Sequence, residues 1–114
     1  PTISNEAIND TKIYIGESIY LNCSVTDNIE VDTVKFYIEP FGNLTASNIN
    51  SEYYIICNAT NPCNTNKAGQ YTWTSVWAND TANNVNTTTV GLSYTVVSPR
   101  KPIVNIVELL RRRR

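Results

Sequence analysis

The feature that most constrains the fold is a two-residue alternation of apolar and polar side chains, repeated in short segments along the chain. The alternation is clearest over 18–26, 32–39 and 90–96, where every second residue is apolar. Because successive side chains of a strand point to opposite faces of a sheet, this period is typical of strands that bury one face. Shorter or weaker strand signals lie at 2–8, 12–15, 52–57 and 69–77.

Turn residues separate these segments at intervals of about ten residues, and no helical pattern precedes residue 100. Seven short strands of this kind predict an all-β fold, a seven-stranded antiparallel β-sandwich with Greek-key connections. A closed barrel is the alternative that the same pattern allows. The predicted organisation is a sandwich over 1–97, a proline-containing linker over 98–102 and a C-terminal extension over 103–114.

Histidine is absent from the 114 residues. This excludes histidine-based acid–base catalysis, histidine activation of a nucleophile and an imidazole-ligated metal. No acidic pair lies in a motif that would raise the pKa of one carboxyl group. We therefore predict no catalytic residues, no cofactor and no enzymatic activity.

Charge is distributed unevenly between the body and the end of the chain. Residues 1–99 hold three lysines against nine acidic residues, a net charge of −6, whereas 100–114 hold six basic residues against one acidic residue, a net charge of +5. A basic tail alone can bind phosphate, but the acidic body would be repelled by it. A nucleic-acid partner is therefore not predicted.

Six Asn-x-Ser/Thr sequons occur in the chain, where the abundance of their component residues would give about three by chance. Each lies in a predicted turn or at a predicted outward strand position, which indicates N-linked glycans and an extracellular location. The first ten residues lack a signal-peptide pattern and no apolar stretch reaches 18 residues, so we predict a mature secreted form without a transmembrane segment. The predicted glycosylation sites are Asn9, Asn22, Asn43, Asn58, Asn79 and Asn86.

The segment 67–73 has tyrosine at 71 and tryptophan at 73. It resembles the start of strand F in immunoglobulin-like domains, where a tyrosine two residues before the second cysteine forms the tyrosine corner. The resemblance makes Tyr71 that tyrosine and Cys23 the strand B cysteine, and it places Trp73 at the position of the partner cysteine. It therefore implies that the usual inter-sheet disulfide is absent and that Cys23 packs against Trp73. Phe36 stands where the strand C tryptophan would be.

The sequence of 25–38 and 77–84 resembles immunoglobulin-like and fibronectin-III-like repeats of prokaryotic, especially archaeal, surface proteins. The resemblance covers 1–97 and implies the fold. Such repeats serve as stalks, adhesins, surface-layer parts and filament subunits, so the resemblance does not select one role.

Two cysteines lie six residues apart across an Asn-Pro turn, at Cys57 and Cys63. This spacing predicts a disulfide that closes a loop and indicates an oxidising compartment. Two free thiols are the alternative. Cys23 lies at an inward strand position and is predicted to be a buried thiol.

Two further groups of residues could bind a ligand. Asp27 and Asp80 should lie in loops at one end of the sandwich, with Asp32 and Asn79 nearby, and could hold Ca²⁺; the alternative is that these residues simply form turns. No calcium-loop spacing is present, so we favour turns and predict no metal.

Aromatic side chains are the other candidates for binding. The segment 74–77 is one residue longer than the usual strand of the domains that the chain resembles. This extra residue predicts a bulge that directs Trp77 outward and Val76 inward. Tyr20 and Tyr37 are also predicted to face outward. They could stack on a carbohydrate, fill a neighbouring protein or pack across strands of their own sheet.

The C-terminal extension departs most from a plain repeat, because an aliphatic run is followed by four arginines. Left in water, the run would expose an apolar patch, so it is predicted to bind a partner. Its β-branched residues favour a strand, although a helical stripe also fits, and it could be a passive connector. The predicted assembly segment comprises Ile103, Val104, Ile106, Val107, Leu109, Leu110, Arg111, Arg112, Arg113 and Arg114.

Together these observations predict a non-catalytic, glycosylated, extracellular module of a prokaryotic surface structure. In one mechanism it is a filament subunit whose segment 103–110 or 2–8 adds as a strand to a copy of itself or to a neighbouring surface domain. In the other it is a stalk or adhesin repeat that binds a carbohydrate or protein through aromatics and loops.

Overall fold

The computed structural model describes residues 1–60 and 62–99, which contain nine β-strands and no helix. The strands are β1 (Thr2–Ile8), β2 (Lys12–Tyr14), β3 (Ile19–Thr26), β4 (Val31–Glu39), β5 (Gly42–Thr45), β6 (Ser47–Ile49), β7 (Glu52–Cys57), β8 (Gly69–Asp80) and β9 (Val85–Val97). They form a four-stranded sheet of order β1-β3-β7-β6 and a five-stranded sheet of order β2-β9-β8-β4-β5. No helix in this part of the chain is long and apolar enough to cross a membrane.

The predicted all-β sandwich is confirmed, with two corrections. The chain has nine strands rather than seven in the described ranges, because the turn predicted at 40–43 leads into β5, and β6 then crosses to the other sheet. The sandwich is not wholly antiparallel, because β2 pairs with β9 in parallel, with Ile13 opposite Val96. β2 therefore covers the edge of β9.

The core lies between the sheets and is built by the alternation seen in the sequence. On β3, Ile19, Leu21, Cys23 and Val25 are buried, and the residues between them face outward or are half-buried. At about 25 cal/mol per Å² of buried apolar surface, alternation of this kind is sufficient to fix which face of each strand turns inward. The centre of the core is Trp73, whose ring stacks on Phe36 with centroids 4.4 Å apart.

The predicted bulge is confirmed in β8. Tyr37 and Ile38 are adjacent on β4, but their partners on β8 are Ser75 and Trp73, so Thr74 is the extra residue. Beyond the bulge, Val76 and Ala78 are buried while Trp77 lies on the outer face of the five-stranded sheet.

The resemblance at Tyr71 is confirmed by a hydrogen bond. The Tyr71 hydroxyl donates to the main-chain carbonyl of Lys67 at 2.5 Å, four residues upstream, which is the tyrosine-corner arrangement. The Tyr71 ring stacks between Phe41 and Tyr94, with centroids 5.6 and 5.4 Å away. This stack closes one end of the sandwich.

Candidate functional site

The outer face of the five-stranded sheet presents an aromatic pair among threonines and other polar residues. Pairing places Trp77 opposite Lys35 and Tyr37 opposite Ser75. The Lys35 ammonium lies 5.6 Å from the centre of the Trp77 ring, a cation–π distance. Trp77 is half-buried and Tyr37 is exposed, so both rings remain partly accessible.

A shallow depression of about 410 Å³ lies between these rings. Besides the two aromatics, hydroxyl, carboxamide and ammonium groups line it, so it offers both apolar ring surface and hydrogen-bonding groups. Its lining residues are Lys35, Tyr37, Asn43, Ser75, Trp77 and Thr87. The predicted outward orientation of Tyr37 and Trp77 is thus confirmed.

The four-stranded sheet carries a second aromatic cluster on its outer face. The Tyr20 ring stacks on that of Tyr54 with centroids 5.5 Å apart. Oε2 of Glu52 accepts hydrogen bonds from the Tyr20 hydroxyl at 2.7 Å and from Nδ2 of Asn22 at 3.0 Å. The bond to Glu52, with burial and the Glu52 charge, raises the pKa of Tyr20 to about 12. Here the aromatics pack across strands of their own sheet and are closed by hydrogen bonds.

The six sequons differ in whether Nδ2, the atom that would carry a glycan, already has a partner. Nδ2 of Asn22 donates to Glu52, and Nδ2 of Asn86 donates to the main-chain carbonyl of Pro1 at 3.0 Å. Asn86 also pairs with the buried Ala78 and therefore turns toward the covered side of β9, whereas the sequence placed this sequon in a turn before a strand at 90–96.

Three other sequon carboxamides use only their oxygen within the described residues. Oδ1 of Asn9 accepts a hydrogen bond from the main-chain amide of Tyr20. Oδ1 of Asn58 accepts from the amide and the hydroxyl of Thr60, and Oδ1 of Asn79 accepts from the amide of Thr33.

Asn43 is different from the other five. It is exposed on the edge strand β5, and we find no hydrogen bond of its side chain within 1–60 and 62–99. Because Leu44 packs against the core, Asn43 and Thr45 face outward on either side of it. Asn43 and Asn9 are the two exposed asparagines among the six sequons, and of these two Asn43 lines the depression.

The predicted disulfide joins Cys57 and Cys63, whose Cα atoms are 4.9 Å apart. Both cysteines are fully buried. Thr65, which follows shortly after Cys63, donates through its hydroxyl to the main-chain carbonyl of Glu17 at 2.8 Å. The disulfide and this hydrogen bond attach the loop after β7 to the end of the sandwich.

Cys23 is the buried free thiol that the sequence predicted, and burial raises its pKa to about 12. A thiol in this environment stays protonated and unreactive at neutral pH. Trp73 and Cys23 both lie in the core, where no disulfide connects β3 to β8.

The two weak calcium candidates are both engaged in the structure. Oδ1 of Asp80 accepts from the main-chain amides of Ala82 and Asn84, at 2.9 and 2.8 Å, and Oδ2 accepts from Nδ2 of Asn84. Asp80 thus builds the turn from β8 to β9, as the turn alternative predicted.

Asp27 is held mainly by the Pro1 amino group, 2.7 Å from its Oδ2, and by the amide of Ile29. The pKa of Asp27 is lowered by this amino group, the Ile29 amide and Asp80. Within the described residues, no three acidic or cysteine side chains gather as a metal site.

The predicted linker begins within the described residues, and the predicted assembly segment lies outside them. Ser98 and Pro99 are the last described residues, and 100–114 fall outside the described ranges.

Sequence reasoning missed two partners in these clusters. Glu52 and Lys35 look like ordinary surface charges in the sequence, yet Glu52 joins Tyr20 to Asn22 and Lys35 lies over Trp77. The alternation over 32–39 predicts that Lys35 faces outward, and the short signal at 52–57 predicts no orientation for Glu52. Which residues they face depends on strand order, which alternation does not contain.

No protein-family model matches the chain, and no curated protein matches its sequence. Among solved structures, the chain is similar to the fibronectin(III)-like modules of CbhA from Clostridium thermocellum. The two share 12% sequence identity at a TM-score of 0.61, over 88% of this chain and 100% of that one. The fold is a fibronectin III-like sandwich. At this identity the similarity extends to the fold alone, and a likeness to archaeal surface proteins stays a prediction.

Proposed function

We propose that the chain is a non-catalytic structural or adhesion module of an extracellular surface structure, linked in series with copies of itself. The observation that supports this is the placement of the two ends of the described part. The Pro1 carbonyl accepts a hydrogen bond from Asn86 beside the turn between β8 and β9. The Val97 carbonyl accepts a hydrogen bond from the main-chain amide of Ile15 at the opposite end of the sandwich. A module entered at one end and left at the other can be joined end to end.

The disulfide supports the extracellular part of the proposal. Disulfides persist in oxidising compartments and are rare where thiols are kept reduced. The loop closed by Cys57 and Cys63 is built into the end of the sandwich, since both cysteines are buried. We extend the proposal to N-linked glycans at accessible sequons, of which Asn43 is the best placed.

Strand addition is the assembly mechanism that we propose. Three of the four sheet edges, β2, β5 and β6, are only three or four residues long, whereas β1 extends over seven. A long edge with unpaired main-chain groups is the natural acceptor for an added strand.

The segment 103–110 is the better of the two donor candidates. The other candidate, β1, already pairs with β3 and packs Ile3 and Ile8 against the core. Its use as a donor would remove those contacts from its own sandwich. The donor proposed here lies outside the described residues and rests on the sequence alone.

Sedimentation velocity of the full chain across a hundredfold concentration range tests this proposal. Replacing Ile103, Ile106 and Leu110 together with serine should weaken association at least about tenfold, because the aliphatic contact is lost. Ile49→Ser is the matched control, since Ile49 is an exposed isoleucine on β6. Wild-type association by the triple variant would contradict the assignment of the tail as donor.

A second candidate is a stalk or adhesin repeat that binds an external carbohydrate or protein at the depression between Tyr37 and Trp77. Accessible aromatic rings next to polar groups favour it. Calorimetric titration with oligosaccharides tests it, with Trp77→Thr as the variant that should abolish any heat of binding.

A further inference from the structure

The depression on the five-stranded sheet lies directly beside a sequon. Asn43 on β5 pairs with Tyr37 on β4, which pairs with Ser75 on β8. Trp77 is two residues along β8 from Ser75, on the same face. With strands about 4.8 Å apart, Asn43 and the row of Trp77 are separated by about two strand spacings across the sheet.

We propose that Asn43 carries an N-linked glycan and that its first sugars lie in the depression, on the rings of Tyr37 and Trp77. The proposal deepens the extracellular, glycosylated module proposed above and rests on it. The occupant of the depression is then part of the same molecule, and the surface is not a docking site for an external ligand.

Accessibility and position together favour Asn43 as the attachment point, since Asn9, the other exposed sequon asparagine, does not line the depression. The Asn43 side chain is exposed, and the hydrogen bonds described above occupy a carboxamide atom in each of the other five sequons. The β5 edge has no strand beyond it in the sheet, so a glycan leaving Asn43 meets open space on one side and the depression on the other.

The chemistry of the depression matches a pyranose. The C–H faces of a sugar ring pack on aromatic faces, and its hydroxyl groups accept and donate hydrogen bonds. Tyr37 and Trp77 supply the rings, while the Lys35 ammonium and the Ser75 and Thr87 hydroxyls supply polar contacts. A cross-strand pair such as Asn43 and Tyr37 has Cβ atoms about 5 Å apart, so the first sugar begins beside the Tyr37 ring.

Tethering decides between this glycan and a free sugar. A ligand held by a short linker acts at an effective concentration in the millimolar range or above. Single aromatic contacts are weak, so a free oligosaccharide would compete poorly with an attached one.

The attachment requires a donor oligosaccharide linked through phosphate to a lipid, supplied by the host. The Asn43 Nδ2 forms a bond to the anomeric carbon, the bond between that carbon and the phosphate oxygen breaks, and the lipid phosphate leaves with the electron pair. Nδ2 loses one proton. No oxidation or reduction occurs.

Acrylamide quenching of tryptophan fluorescence measures directly how exposed the Trp77 ring in the depression is. The chain has two tryptophans, and Trp73 is fully buried, so the quenchable emission comes from Trp77. The full chain is expressed in a host that glycosylates Asn-x-Ser/Thr sequons, and site occupancy is measured by glycopeptide mass spectrometry.

The decisive variants alter the sequon at its third position. Thr45→Ala removes the sequon and keeps Asn43, whereas Thr45→Ser keeps the sequon; Thr45 is exposed, so both variants should fold. We expect Asn43 to be occupied in wild type and in Thr45→Ser, and the quenching constant to rise about twofold in Thr45→Ala, because one ring face becomes uncovered. Asn9→Gln, in the turn after β1, should leave the quenching constant unchanged.

Several outcomes would overturn the inference. Equal quenching in Thr45→Ala and Thr45→Ser, with Asn43 occupied in Thr45→Ser, would place the glycan away from Trp77. A rise in Asn79→Gln instead would assign the depression to the other sequon on this face. Occupied sequons elsewhere with Asn43 bare would refute this inference and leave the proposed module intact, whereas bare sequons throughout would also count against the glycosylated module.

Discussion

Replacing Tyr71 with phenylalanine tests how much the tyrosine corner stabilises the sandwich. The substitution removes one hydrogen bond, from the hydroxyl to the Lys67 carbonyl at 2.5 Å, and nothing else. The phenylalanine ring would keep the stacking on Phe41 and Tyr94. The loss therefore isolates the bond from the packing.

The expected loss is about 1 kcal/mol. A buried hydrogen bond contributes about 0.5–1.5 kcal/mol, and a carbonyl left unpaired costs more when water cannot reach it. Lys67 is exposed, so water can hydrate the freed carbonyl and the cost stays near the middle of that range. For a domain of this size, 1 kcal/mol corresponds to a fall in Tm of about 4–8 °C.

Urea unfolding followed by circular dichroism measures the change in free energy of unfolding. Tyr94→Phe is the matched control in the same aromatic stack, because burial and Tyr71, rather than a hydrogen bond, raise the pKa of Tyr94 to about 12. That control should change stability by less than about 0.5 kcal/mol. Equal losses in the two variants would refute the reasoning, since they would trace the effect to ring packing and not to the corner bond.

Three further predictions follow from the described contacts. Reducing the Cys57–Cys63 disulfide should lower the free energy of unfolding by about 2 kcal/mol, the value expected for a closed loop this short; unreduced peptide mapping should also leave Cys23 unlinked, and a Cys23 disulfide would contradict the assignment. Raising the pH from 9 to 12 should lower the urea midpoint progressively. The folded-state pKa values of Tyr94 and Cys23 are raised to about 12, whereas those of the unfolded chain stay near 10 and 9, so the stabilisation is complete below pH 9 and is lost as the pH rises. A flat profile would argue against the burial of these two side chains. Asp80→Ala should cost about 2–3 kcal/mol by removing the acceptor of the β8–β9 turn, and added Ca²⁺ should not shift the wild-type Tm; a rise with Ca²⁺ would restore the metal hypothesis.

Alternation predicted the strands that bury one face and little beyond them. β1 and β7 have the predicted boundaries, and β3 and β4 differ from prediction by one residue at the start. β5 and β6 were missed because Gly42 and Asn43 have turn chemistry and the two strands are too short to alternate visibly. Such edge strands form because neighbouring strands offer hydrogen bonds, which is a tertiary effect.

The ends of β8 and β9 were missed for a related reason. Asn79, Asp80 and the threonines over 87–89 are polar and have the composition of a loop, yet the two strands pair as far as Asn79 opposite Val85. Asp80 then accepts the amides of the connecting turn, which allows the hairpin to extend to its tip.

The aromatic depression could be predicted only in part. The sequence identified Tyr37 and Trp77 as outward and Asn43 as a sequon, but their proximity depends on register across three strands. Register is fixed by bulges and by pairing over distance, and neither the Lys35 contact nor the Tyr37–Asn43 pair can be inferred from spacing along the chain.

One inserted residue determines which tryptophan lies in the core. Trp73 and Trp77 are four positions apart, so in a regular strand both would turn to the same face. Thr74 is the extra residue of β8, and it reverses the alternation, so that Trp73 is buried against Phe36 while Trp77 faces outward beside Lys35. Without the bulge, Val76 and Ala78 would lie outside and Trp77 would need space in a core already filled by Trp73. The depression on the outer sheet is therefore a consequence of the same irregularity that lets the core close around a single tryptophan.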